Sequence, residues 1–96
     1  MVQDDNQVRM QVKLRPVNWT EDWSSLLRIE KESFRSPWKV HKFLIFSLTP
    51  GNHGLVAELG GQVIGYMLYE ERKGNHHVAH IAVTTAYRSL GIGKQW

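Results

Sequence analysis

The sequence predicts an α+β (α/β) fold in which a mostly antiparallel sheet of about four strands carries helices on its faces. Two segments with apolar residues at helical spacing come first, and three short apolar stretches joined by glycine turns come after them. Tight turns between consecutive strands make those strands antiparallel neighbours. With one strand ahead of the helices and a helix start after the last strand, the predicted order is β-α-α-β-β-β-(α).

The first half of the chain supplies the leading strand and both helices. Residues 1–7 are polar and predict a disordered lead-in, so that residues 8–96 form one domain. Apolar residues alternate over residues 8–14, which predicts a half-buried strand. Thr20 is suited to cap a helix over residues 21–34, and Ser36-Pro37 predicts the start of a second helix. Four charged residues are expected to form a solvated face of the first helix: Arg28, Glu30, Lys31 and Glu32.

The second half of the chain predicts a meander of three strands over residues 55–59, 62–71 and 76–83. Gly60-Gly61 is a two-residue hairpin signal, and a turn that contains Gly74 separates the second of these strands from the third. The middle strand is apolar at both odd and even positions. This pattern predicts that both of its faces are covered.

Composition narrows the classes of function. The 96-residue chain contains no cysteine, which excludes disulfides, thiolate metal sites and cysteine nucleophiles. Its formal net charge of +3 favours an anionic ligand, but the basic residues are scattered, so nucleic acid is not favoured as a partner. The first residues lack the pattern of a signal peptide, and no apolar run is long enough to span a bilayer. We therefore expect a cytoplasmic protein without membrane contact.

A basic, glycine-bearing segment follows the last strand. Arg88, Gly91 and Gly93 lie between that strand and the start of a helix. Backbone N–H groups at a helix start lack internal partners and favour anions, and glycines let this backbone approach a phosphate closely. The arrangement predicts a site for a phosphorylated ligand. A dinucleotide-binding loop is disfavoured because its third glycine and its later acidic residue are missing.

At this point the chain resembles the GCN5-related N-acetyltransferase (GNAT) superfamily, whose phosphate-binding signature is matched by Arg88, Gly91 and Gly93. The resemblance covers residues 12–96. Within the superfamily, Glu32-Ser33-Phe34 followed by Pro37-Trp38 is similar to the first helical region of ribosomal-protein-alanine N-acetyltransferases. The resemblance implies transfer of an acetyl group from acetyl-CoA to an amine by direct attack, without a metal. The acceptor it suggests is a protein α-amine, with a small amine or polyamine also open.

The resemblance also implies roles for individual residues. The end of the last strand is expected to offer backbone groups to the pantetheine arm of acetyl-CoA, and the Val83 amide to polarise the thioester carbonyl. Phe34, Pro37 and Trp38 are expected to border the acceptor site. The expected cofactor-binding residues are Ile81, Ala82, Val83, Arg88, Ser89, Leu90, Gly91, Ile92, Gly93 and Lys94.

The candidates for a general base come from the strand before the phosphate loop. His76, His77 and His80 lie there, and histidine titrates near neutral pH. Strand alternation is expected to place His76 and His80 on one face and His77 on the other. His80 is the favoured base because it precedes Val83 by three residues. Glu58 is a second candidate if its apolar neighbours bury it. No metal site is expected from these histidines, because they divide between two faces.

The superfamily fold implies further elements beyond Trp96, including a tyrosine that protonates the departing thiolate. We therefore expect a C-terminally truncated domain, and inactivity of the 96 residues alone stays an open alternative. Two other functions remain open: a non-catalytic remnant that binds CoA or a protein, and a small basic nucleic-acid binder. The strand over residues 76–83 is expected to be an exposed edge through which copies of the chain pair.

Overall fold

The computed structural model describes residues 11–90, and within them a four-stranded antiparallel sheet has the order β1-β2-β3-β4. The strands are β1 (Lys13–Pro16), β2 (Asn52–Leu59), β3 (Gln62–Arg72) and β4 (Asn75–Val83). The helices are α1 (Trp23–Ser33) and α2 (Val40–Leu48), and a 3-10 helix (Thr85–Leu90) follows β4. This order and the antiparallel sheet confirm the predicted fold class.

Two tight turns produce the meander. Gly60 and Gly61 both have positive φ angles, +58° and +79°, so only two residues connect β2 to β3. A two-residue turn with two positive φ angles matches the twist of the strands it joins. Lys73 and Gly74 repeat this geometry between β3 and β4, with φ angles of 51° and 81°. Both turns were predicted from their glycines.

The bounds of the first strand differ from the prediction. The strand expected over residues 8–14 is observed as Lys13–Pro16, and the part of that prediction before residue 11 lies outside the described residues, as does the lead-in over residues 1–7. Pairing with β2 fixes the observed bounds, since Lys13 lies opposite Glu58 and Pro16 opposite Leu55. Pro16 is tolerated because β1 is an outer strand of the described sheet.

Both helices begin later than predicted, for different reasons. Asp22, not Thr20, is the N-cap of α1, and its carboxylate is bound by Arg15 Nη1 and Nη2 at 2.8 Å each and by the Asn18 N–H at 2.7 Å. The Arg15 guanidinium therefore lowers the pKa of Asp22 below its ordinary value. Helix α2 begins at Val40 rather than near Pro37, because its N-cap Lys39 is extended, with φ −86° and ψ 168°, and the Trp38 N–H donates to Glu30 ahead of it.

Both helices pack on the same face of the sheet. Helix α1 contributes Leu26 and Ile29, and α2 contributes Phe43 and Phe46. The sheet residues that complete this core are Val56, Val63, Tyr66, Leu68 and Ala82. A smaller cluster around Ala57 and Ile64 lies apart from this core, and β3 is buried at odd and even positions from Val63 to Leu68. The prediction that both faces of β3 are covered is confirmed.

A β-bulge in β4 decides which way its histidines face. Leu68 pairs with His80 and Tyr69 pairs with Val78, so Ala79 is an extra residue without an opposite partner. The bulge reverses the alternation beyond it. His80 shares the face of Leu68 with the helices, whereas His76 stacks on Tyr69 at 5.4 Å on the opposite face. The prediction that His76 and His80 share a face is therefore wrong.

In the described part of the chain, neither helix has the length and apolar character needed to cross a bilayer.

The packing makes a specific prediction about stability. Phe43 is completely buried and contacts Trp23, Trp38 and Tyr66 ring to ring, so Phe43→Ala leaves a cavity at the centre of the core. We expect a loss of about 3–5 kcal/mol in the free energy of unfolding, measured by urea titration. Leu48→Ala is the control, because that side chain is 74% exposed and its loss should cost less than about 0.5 kcal/mol. Similar losses in both variants would contradict the observed core.

Candidate functional site

The end of β4 turns part of its backbone away from the sheet. The Thr84 N–H donates to the Ile64 carbonyl at 2.7 Å, so Thr84 faces β3. Backbone groups alternate between the two edges of a strand, and those of Val83 and Ile81 therefore point to the outer edge of β4. Ala82 directs its backbone to β3, where its carbonyl lies against Gly65, and its side chain enters the core.

The 3-10 helix after β4 is held against the end of α1. Arg88 Nε donates to the outward Val83 carbonyl at 2.8 Å, and Arg88 Nη2 donates to Ser33 Oγ at 2.9 Å. Ser89 and Leu90 end the 3-10 helix, and the predicted residues Gly91, Ile92, Gly93 and Lys94 lie outside the described residues. Arg88 thus fixes the direction in which the chain leaves β4.

Glu32 provides a second link between α1 and the end of β4. Its Oε1 accepts hydrogen bonds from Thr84 Oγ1 at 2.5 Å and from the Thr85 N–H at 2.7 Å. These bonds, with that from Thr84 first, lower the pKa of Glu32 below its ordinary value. A carboxylate at this position also favours the start of the 3-10 helix, because it satisfies an unpaired N–H there. Glu32 is exposed, as expected for the solvated face of the helix, but it is also hydrogen-bonded to Thr84 and Thr85.

Glu30 was predicted to lie on the solvated face of the first helix, and this prediction is wrong, because its side chain is buried. Its carboxylate is 1% exposed and has three hydrogen-bond partners. The Trp38 N–H donates to Oε2 at 2.8 Å, the Tyr66 hydroxyl donates to Oε1, and His80 Nε2 lies 2.5 Å from Oε1. These three partners come from the loop between the helices, from β3 and from β4. Glu30 therefore joins three separate elements at one buried point.

The environment of Glu30 keeps Tyr66 neutral. The Tyr66 side chain is completely buried between the helices and the sheet. Burial, followed by the hydrogen bond to the Glu30 carboxylate and the charge of that carboxylate, raises the pKa of Tyr66 above its ordinary value. Tyr66 is thus a hydrogen-bond donor throughout the physiological range of pH.

The His80 imidazole lies between two aromatic rings. The Trp38 ring stacks on it at 4.4 Å with an interplanar angle of 13°, and the Phe34 ring stacks at 4.5 Å with an angle of 30°. Two near-parallel rings at these distances require opposite faces of one imidazole. The His80 side chain is 14% exposed, so it is held rigidly yet keeps a path to solvent. Pro37 lies in the loop that carries Trp38.

The structure brings the predicted acceptor residues Phe34 and Trp38 into contact with the predicted base His80. It places the other candidates elsewhere. Glu58 Oε2 pairs with Arg15 Nε at 2.6 Å on β2, two strands away from β4. His76 faces the opposite side of the sheet from His80, as the bulge requires.

The sequence contained a signal for Glu30 that the charge pattern obscured. Leu26, Leu27 and Phe34 define the apolar stripe of α1, and Glu30 lies four, three and four residues from them. Helical periodicity places Glu30 on that buried stripe. A charged residue at a core position requires polar partners, and Tyr66 and His80 supply them.

Within residues 11–90, no group of three or more histidine, cysteine, aspartate or glutamate side chains is arranged to hold a metal ion.

Comparisons with known proteins agree with this geometry. The sequence matches the model of the Acetyltransferase (GNAT) family over residues 23–95. It is 36% identical over 74 residues to an uncharacterized N-acetyltransferase of Methanocaldococcus jannaschii, and the match covers 77% of this chain and 47% of that protein.

Solved structures share the fold. The ribosomal-protein-S18-alanine N-acetyltransferase from Escherichia coli matches with a TM-score of 0.79 and 17% identity, over 88% of this chain and 53% of that one. A glucosamine N-acetyltransferase region of a fungal multi-domain β-N-acetylglucosaminidase matches with a TM-score of 0.75 and 14% identity, over 88% of this chain and 11% of that one. The chain spans about half the length of the Methanocaldococcus and Escherichia proteins.

The raised pKa of Tyr66 gives a prediction for alkaline solution. A phenol whose pKa is higher in the folded state stabilises the fold fully below its unfolded pKa, near 10, and less as the pH rises beyond it. Wild type and Tyr66→Phe should therefore show the same rise in phenolate absorbance for as long as both remain folded by circular dichroism. A larger rise in the folded wild type would show that Tyr66 ionises and would contradict its contact with Glu30.

Proposed function

Because the chain belongs to the GNAT family of acetyltransferases, we propose that it transfers an acetyl group from acetyl-CoA to an amine. The observation that carries this proposal is the outward backbone of Ile81 and Val83, directly ahead of the glycine-bearing segment that begins at Arg88. Outward strand groups can bind an extended amide-containing chain as an added strand would, and the pantetheine arm of acetyl-CoA is such a chain.

The donor side of the proposed site divides into two parts. The Val83 N–H points to the outer edge of β4 and can donate to the thioester carbonyl oxygen as negative charge develops there. Residues 89–94 supply backbone amides for the pyrophosphate. The net charge of +3 of the chain favours binding of such an anion. Arg88 shapes the approach to this loop, because its guanidinium is bound to Val83 and Ser33.

The acceptor side lies on the face that the helices share with His80. A cleft of about 360 Å³ lies next to this site, between α2 and the sheet, and Trp38 and Ala79, the neighbour of His80 in the chain, line it. In the proposed reaction, the amine nitrogen forms a bond to the carbonyl carbon and the carbon–sulfur bond breaks. One proton of the ammonium passes to His80, and the proton lost as the amide forms passes to the departing thiolate.

The acceptor class that we propose is the α-amine of a protein chain. Phe34, Pro37 and Trp38 support it, because this segment is similar to that of ribosomal-protein-alanine N-acetyltransferases. The fold alone does not select this acceptor, since an acetyltransferase region for glucosamine has nearly the same TM-score as one for ribosomal protein S18. A small amine is therefore the second acceptor class to assay.

Titration calorimetry with CoA tests the donor site. Gly91→Glu brings bulk and negative charge to the proposed pyrophosphate site and should abolish detectable CoA binding, a loss of at least about 100-fold in affinity. Asn75→Glu is the matched control, because it adds the same charge at an exposed position on the opposite end of β4. Equal binding of CoA by wild type and Gly91→Glu would contradict the proposal.

Binding and activity assays on the wild-type chain distinguish acetyl transfer from the two alternative functions. Binding of CoA without thioester consumption, in the presence of peptide and small amines, would favour a non-catalytic binding domain. Salt-sensitive binding to DNA or RNA with no binding of CoA would favour a nucleic-acid binder.

A second proposal concerns the outer edge of β4, which is one of the two edges of the described sheet. Val78 is 60% exposed and Ile81 39% exposed. Within the described sheet no strand pairs with the outer edge of β4, although Arg88 binds the Val83 carbonyl there, and an apolar edge of this kind favours pairing with another strand. We propose that copies of the chain pair through residues 76–83. Static light scattering should then give a dimer mass that falls towards the monomer mass when CoA is added, because both ligands need the same backbone groups. A monomer at high concentration without CoA would contradict it.

A further inference from the structure

We propose that Glu30 is a positioning residue that fixes the tautomer and the orientation of His80, so that Nδ1 is the nitrogen that accepts the proton of the amine. This inference rests on the proposed function, in which His80 is the base. It adds a residue that the sequence analysis had assigned to the solvated face of the first helix, and it assigns different tasks to the two ring nitrogens.

The proposal takes the Glu30 carboxylate as ionised. The Trp38 N–H and the Tyr66 O–H both donate to it, and the contact with His80 Nε2 fits the same assignment if that nitrogen carries the proton. An ionised carboxylate accepts at both oxygens and donates at neither. Burial of this charge requires that it be fully hydrogen-bonded, and the three donors meet that requirement.

The proposed charge of Glu30 sets the tautomer of His80. With Glu30 ionised, Oε1 only accepts, so in the proposed arrangement the proton of the 2.5 Å contact belongs to Nε2. In neutral His80 the other nitrogen, Nδ1, is then an acceptor. In the proposed arrangement its lone pair is the one left for a substrate, because Nε2 is taken up by Glu30. When Nδ1 takes a proton, the adjacent carboxylate stabilises the resulting imidazolium.

The aromatic rings fix the orientation. Trp38 and Phe34 stack on opposite faces of the imidazole, so the ring cannot rotate out of its plane. Glu30 also holds the Trp38 backbone, so a single carboxylate sets both the ring and one of the two walls around it. This arrangement differs from a surface histidine such as His53, whose Nε2 lies 3.3 Å from the exposed Glu71 carboxylate.

The test is a nuclear magnetic resonance measurement that needs no substrate. In the ¹⁵N-labelled chain above about pH 8, where ordinary histidines are neutral, His80 should show its proton on Nε2, with slow exchange of that proton with water. His80→Gln identifies the signal by its loss. In Glu30→Gln this Nε2–H should exchange faster, because the amide carries no charge and its NH2 group, which replaces one oxygen, cannot accept, so the side chain no longer accepts from all three groups. Glu71→Gln is the matched control and should leave the His80 signal unchanged.

Two further variants separate positioning from a purely structural role. Tyr66→Phe removes the hydrogen bond from Tyr66 but keeps the Glu30 carboxylate, so it should retain the slowly exchanging Nε2–H of His80. That result would show that losing one hydrogen bond in the core is not enough to expose this proton. In acetyl transfer, Glu30→Gln should lower kcat about 100-fold with little change in KM for acetyl-CoA.

The possible results separate this inference from the proposed function. A proton on Nδ1 of His80 in the wild type, or an unchanged His80 signal and kcat in Glu30→Gln, would overturn the inference. Absence of acetyl transfer by a wild type with a protected Nε2–H would overturn the proposed function, while the assignment of the Glu30–His80 pair would stand.

Discussion

The buried carboxylate of Glu30 is the constraint on which the rest of the structure depends. It lies in the last turns of α1 and receives hydrogen bonds from the α1–α2 loop, from β3 and from β4. A buried charge is costly unless it is well hydrogen-bonded, so the stability of this arrangement depends on the three elements meeting at this point. The position of α1 over the sheet, the delayed start of α2 and the orientation of His80 all follow from that requirement.

The same end of α1 also sets the exit of the chain from β4. Glu32 binds Thr84 and Thr85, and Ser33 accepts a hydrogen bond from Arg88. Together with Glu30, these residues form three polar links within four residues of α1, one buried and two exposed, to β4 and the segment that follows it. The proposed acceptor side and donor side are therefore positioned by one helix.

Much of this fold could be predicted from local patterns. Glycines at the two turns and the doubly apolar β3 identified the meander, because turn geometry and strand burial are local properties. The face of His80 could not be predicted, because the bulge at Ala79 depends on pairing with β3. Glu30 was misplaced because its charge was given more weight than its position on the apolar stripe. Its donors are 8, 36 and 50 residues away in the sequence, so no local pattern includes them.

The most direct test of this account is a double-mutant cycle between Glu30 and Tyr66. The free energies of unfolding of wild type, Glu30→Gln, Tyr66→Phe and the double variant would be measured by urea titration under identical conditions. Residues that share a buried hydrogen-bond network couple, so we predict a coupling energy of about 1–3 kcal/mol. Losses that add within about 0.5 kcal/mol would show that Glu30 does not organise the core.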